Sequence, residues 1–101
     1  MNFKILKSKL SEPLSLLASV AESRQSIPIL SNIYIKAEND LITLIATDLE
    51  IELSFKIKCD SIIEPGETTV SARKIFDLTR SLSDETPLEF NLKENQLIVT
   101  A

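Results

Sequence analysis

The sequence predicts an α+β domain in which two helices lie on one face of an antiparallel-type sheet. Three observations lead there. Seven stretches alternate apolar and polar residues at the period of a strand, two carry apolar residues at the period of a helix, and the order of the two kinds repeats along the chain.

The first strand is Asn2–Leu6, with Phe3 and Ile5 on one face. A helix follows over about Ser8–Glu22, where Leu10, Leu14, Leu17 and Ala21 form one stripe with Val20 beside it. Ser8 or Ser11 is the expected N-cap, and Pro13, lacking an amide hydrogen, suits a first turn that begins at Ser11. Ile33–Glu38 and Leu41–Ala46 read as strands joined by a turn at Glu38-Asn39-Asp40. In Leu49–Cys59 the residues Ile51, Leu53, Phe55 and Ile57 alternate with polar ones, so this strand is expected to be buried on one face only. Pro65-Gly66 has the composition of a type II turn, and Glu67–Val70 is a short strand behind it. Ser71 caps a second helix over about Ala72–Leu82, with Ile75, Leu78 and Leu82 on one stripe and Phe76 beside it. Pro87–Leu92 and Gln96–Thr100 close the chain as a hairpin around Lys93-Glu94-Asn95.

The order is strand, helix, three strands, then strand, helix, two strands: a βαβββ unit used twice, with the last strand missing. Such a pair is expected to form a continuous sheet with both helices on one side. The run LIVT near the end carries neither a cap nor a polar tail, and the chain reads as one domain cut short.

At 101 residues and 44% hydrophobic, the chain has the size of a single domain with its own core. Cys59 is the only cysteine, which excludes an internal disulfide and fits a reducing, cytoplasmic setting. No run approaches the ~18 apolar residues of a membrane span, and MNFKILKSKL lacks the apolar core of a signal peptide.

The net charge of −4 is divided unevenly. Residues 7–24 and 71–82 hold Lys7, Lys9, Arg24, Arg73, Lys74 and Arg80 against Glu12, Glu22 and Asp77, while the rest of the chain holds five bases and twelve acids. A basic helix side and an acidic sheet side draw a polyanion to one face and repel it from the other.

Signals for catalysis are weak. Histidine is absent, the single glycine forbids a glycine-rich phosphate loop, and Cys59 has no histidine to activate it. Asp48, Glu50 and Glu52 form the densest acid cluster. With Glu50 and Glu52 about 7 Å apart on one strand face, the cluster reads as a solvated outer surface. No catalytic residue, metal site or cofactor is expected.

The segments IPILSN (Ile27–Asn32), ATDLEIEL (Ala46–Leu53) and above all EPGETTVSARKIFDLTRSL (Glu64–Leu82) resemble the N-terminal domain of the bacterial DNA polymerase III beta subunit, the replication sliding clamp. The likeness runs the whole length in the same order; Ser71 departs from a proline expected in many relatives, and serine serves equally as a cap. The resemblance implies a sliding-clamp fold and a non-catalytic processivity factor. In that family two three-domain subunits join head to tail into a ring, with helices lining a hole that holds double-stranded DNA of any sequence. Two of the three domains are absent from this sequence. The resemblance also implies the replicative DNA polymerase and the clamp loader as partners, and no membrane. Arg24 matches a basic residue that touches the DNA backbone, and with Arg73, Arg80, Lys7 and Lys9 it makes the expected DNA-binding set. Lys74, Leu78 and Leu82, on the exposed side of the second helix, are the expected subunit interface. The alternative reading is a free-standing α+β interaction module with no DNA role; an enzyme built on the Asp48–Glu52 acids ranks third.

Overall fold

The computed structural model describes residues 1–21 and 28–101. Its elements follow in the order β1 (Asn2–Leu6), α1 (Lys7–Val20), a 3-10 turn (Pro28–Ser31), β2 (Asn32–Glu38), β3 (Leu41–Thr47), β4 (Glu52–Lys58), β5 (Ser61–Glu64), β6 (Gly66–Ser71), α2 (Ala72–Arg80), β7 (Pro87–Lys93) and β8 (Gln96–Thr100). Glu22, where the first helix was expected to end, and Arg24 lie outside the described residues.

The strands form two four-stranded antiparallel sheets, β5-β1-β7-β8 and β4-β3-β2-β6, and not the single continuous sheet expected. The pairing exchanges strands between the two βαβββ units. β1 of the first unit pairs with β7 of the second, and β6 of the second pairs with β2 of the first. Inner residues of both sheets meet α1 and α2 in one core. Phe3 and Phe90, cross-strand partners in β1 and β7, stack with ring centroids 4.8 Å apart. Ile33, Ile35, Ile42 and Leu44 come from the other sheet, and Leu10, Leu14 and Leu17 from the α1 stripe.

α1 begins earlier than the serines suggest, and neither Ser8 nor Ser11 caps it. Leu6 stands at the N-cap position without a side-chain bond, and the amides of Lys7 and Ser8 donate to the carbonyls of Thr86 and Asp84, 2.9 and 3.0 Å away. A distant loop thus satisfies the first-turn donors that a serine was expected to satisfy. Ser11 instead donates its hydroxyl to the Lys7 carbonyl, and Pro13 falls inside the helix, past its first turn.

Two local features shorten β4. Asp48 accepts backbone N–H bonds from Glu50 and Ile51 at 2.9 and 2.8 Å, and Leu49 takes a φ of 81°. These bonds, chiefly the one from Ile51, hold the Asp48 carboxyl below its usual pKa. The chain therefore turns through 48–51 before it extends, so Ile51 is exposed and Glu50 and Glu52 do not share a strand. Leu53, Phe55 and Ile57 do pack against the core as their spacing predicts.

Between the sheets, Pro65-Gly66 is not a type II turn. Gly66 has no positive φ and is the first residue of β6. Its lack of a side chain serves a close approach: a Cβ there would lie 2.8 Å from the Met1 Cβ and 3.1 Å from the Met1 backbone. Met1 is buried, its ammonium 3.1 Å from Glu64 and its carbonyl accepting from the Leu92 amide. Gly66→Ala is therefore expected to destabilise the fold by about 1–3 kcal/mol through overpacking, read as a lower urea midpoint at unchanged slope.

Candidate nucleic-acid interface and subunit groove

The helix layer carries the candidate residues. On α1 the solvent-facing positions are Ser8, Glu12, Ser15, Leu16 and Ser19, none of them basic. Its two lysines are drawn into tertiary ion pairs. Lys7 is buried, with Nζ 3.0 Å from Asp84 Oδ1, on the same loop that receives the first-turn amides. That placement ties its ammonium to the loop and leaves the side chain little open surface. Lys9 is half-exposed and reaches 2.9 Å to Asp60 Oδ1, tying the start of α1 to the loop between β4 and β5.

On α2 the charges face outward. Ser71 caps the helix as expected, its Oγ accepting from the Lys74 amide at 3.3 Å. Arg73 and Arg80 stand on one side, about 10 Å apart along the axis, and both reach the Asp77 carboxylate at 3.6 Å. The Arg80 guanidinium also lies over the Phe76 ring, 5.6 Å from its centre. Each arginine remains about three-fifths exposed, and with Lys74 they give this helix three bases against one acid. Such surface pairs are weak and leave the guanidinium donors free to exchange partners. Among the described residues, then, the exposed basic strip lies on α2. Arg24, expected to join it, lies outside them.

The apolar stripe of α2 differs from the one expected. Ala72, Ile75 and Thr79 are buried, with Phe76 and Leu82 half-buried against the core, whereas Leu78 is 53% exposed. Thr79 tolerates burial because its hydroxyl donates to the Ile75 carbonyl at 2.9 Å. Leu78 and Lys74 instead line a groove of about 500 Å³ between α2 and β8, floored by Leu97 and Val99 and closed by Val70 and Ile75. Of the three residues expected at a subunit interface, Lys74 and Leu78 thus share one open groove. Leu82, past the end of α2, belongs with the core packing. Nothing in the sequence marked Leu97 and Val99 for this surface beyond their alternation in the last strand.

A family model described as DNA polymerase III beta subunit, N-terminal domain, matches residues 1–101. A beta sliding clamp of Pseudomonas aeruginosa is 40% identical over all 101 residues. One of Buchnera aphidicola is 39% identical over 100. The chain spans 28% and 27% of those relatives. Among solved structures, the DNA polymerase III subunit beta of Pseudomonas aeruginosa superposes with a TM-score of 0.93 at 38% identity. The alignment covers 99% of this chain and 27% of that one. The Caulobacter crescentus pol III beta gives 0.91 at 32%, with the same coverage.

The Lys9–Asp60 bond makes a pH dependence. Lys9's hydrogen bond lowers the Asp60 pKa, so the pair contributes stability above the unfolded carboxylate pKa of about 3.9. That contribution is lost as the pH falls through the lowered Asp60 value. Lys9→Ala is expected to be less stable than the parent at neutral pH, with the difference closing below about pH 4; urea titrations at several pH values check it.

Proposed function

Because the chain belongs to the DNA polymerase III beta subunit family, we propose that it serves as the N-terminal domain of a replication sliding clamp. In this role it is part of a non-catalytic, cytoplasmic processivity factor that encircles double-stranded DNA and tethers the replicative polymerase. The observation that carries the proposal is the family match over the entire chain, from residue 1 to residue 101. Among the described residues, the exposed basic strip on α2 agrees with it.

The mechanism asks little of any one residue. A closed ring holds DNA by topology, so its phosphate contacts need only be weak and blind to sequence. Arg73 and Arg80 suit that task, since a guanidinium fork meets a phosphate through two parallel N–H bonds. Arg24 is assigned the same task at the edge of the hole. The groove of Lys74 and Leu78 is where the domain meets the next subunit of a head-to-tail dimer, with the lysine pairing an acid and the leucine filling an apolar pocket. The clamp loader opens and closes that joint around primed DNA.

The direct test is a chimera in which residues 1–101 replace the matching segment of the Pseudomonas aeruginosa beta sliding clamp. With its loader and polymerase, the chimera is expected to support long, uninterrupted synthesis on a primed circle. A folded chimera that forms rings yet yields only short products would overturn the proposal.

In that chimera, Arg73→Ala with Arg80→Ala is expected to weaken DNA retention equally on unrelated sequences and to reduce the slope of log affinity against log salt by up to about 2. Arg24→Ala should act in the same direction, with a slope change of about 1. Lys74→Glu with Leu78→Glu is expected to convert rings to single subunits in sedimentation, because it places charge in an apolar joint.

A further inference from the structure

We infer that Asp77 sets the strength of the basic strip on α2: its carboxylate takes the place of a phosphate between Arg73 and Arg80, so a polyanion must displace it to bind. The inference rests on the reading of this strip as a DNA contact and names the residue that holds that contact weak.

Helix geometry brings the three side chains together. Residues 73, 77 and 80 follow at steps of four and three, so they form one row along α2. All three are exposed, while Ala72, Ile75 and Thr79 are buried on the opposite side of the helix. The row therefore faces away from the core.

Asp77 meets both arginines through one oxygen. Its Oδ1 lies 3.6 Å from Arg73 Nη1 and 3.6 Å from Arg80 Nε. That distance is too long for a hydrogen bond, so the carboxylate holds both groups by charge and leaves their N–H groups open to another acceptor. The guanidinium groups, in turn, have a reason to accept one: a phosphate offers each of them charge-assisted bonds that Asp77 does not make.

A carboxylate in this position has two opposed effects on a polyanion. It orders the guanidinium groups, which favours binding, and it repels the incoming phosphate, which opposes binding. The ordering is slight, because exposed pairs at this range fix little and the Arg80 guanidinium is held over the Phe76 ring independently of Asp77. The repulsion is larger. A phosphate seated on the same two arginines comes within contact range of Asp77, where two like charges cost about fivefold in affinity even at the dielectric of water. Asp77 is also the one acid among the three bases of α2, so it removes a third of the charge of the strip. The repulsion prevails, and Asp77 acts as a competitor.

Binding of the 101-residue chain to short labelled DNA duplexes of two unrelated sequences, read by fluorescence anisotropy at low salt, tests this. Asp77→Asn is expected to tighten binding by about three- to tenfold on both sequences. Asp77→Glu, which keeps the charge, is expected to stay within about twofold of the parent. In an Arg73→Ala, Arg80→Ala background the gain from Asp77→Asn is expected to fall below about twofold, because a competitor acts only through the groups it occupies. The side chain is exposed, and urea unfolding checks that each variant is folded. An Asp77→Asn chain that binds no tighter than the parent, or not measurably at all, would overturn the inference, as would a gain that persists undiminished without the two arginines. The chimera reports on the clamp reading separately. Long synthesis by the chimera alongside an indifferent Asp77→Asn removes this inference alone, whereas short products with the gain intact remove the clamp reading alone.

Discussion

The exchange of first strands between the two units is the constraint on which everything else depends. Because β1 pairs with β7 and β6 pairs with β2, neither unit completes a sheet alone, and each helix is the segment that carries the chain from one sheet to the other. The helices are thereby brought side by side over a core to which both sheets contribute. Antiparallel pairing across such sequence distances is costly in loop entropy and is repaid only when the core closes. That favours all-or-none folding, with little independent stability in either unit.

The seam between the sheets shows how closely the exchange is fitted. Met1 sits where β5 ends and β6 begins, its ammonium near Glu64 and its carbonyl bonded to Leu92, and only a residue without a side chain fits at position 66. The start of α1 is tied to the same assembly by Lys7 and by the amides that donate to the 84–86 loop. The basic residues of α1 are thus spent on holding the fold. Those of α2, pinned only by a shared, exposed aspartate, remain available to a polyanion.

This division bears on how the domain distributes its charge. Within a net charge of −4 the local field over α2 is set by Arg73, Lys74 and Arg80, while acids outnumber bases over the rest of the chain. Each of the two arginines can exchange Asp77 for another anion at small cost.

What the sequence determined by itself was the periodic part. Seven of the eight strands among the described residues, both helices, the α1 stripe of Leu10, Leu14, Leu17 and Ala21, the Ser71 cap and the β2–β3 and β7–β8 hairpins were legible, because local spacing and turn chemistry dictate them. The segments around Glu64–Leu82 carried the family resemblance as well. Tertiary structure decided what depends on partners far along the chain. β5 was too short to announce itself and exists because β1 offers it an edge. The cap of α1 came from a loop more than seventy residues away, Lys7 was claimed by Asp84, and the strand expected from Leu49 was delayed by the turn that Asp48 closes. Leu78 passed from the core stripe to an open groove because Thr79 could satisfy its own hydroxyl and take the buried place. Sequence periodicity reports which residues share a face; only the fold decides what that face will meet.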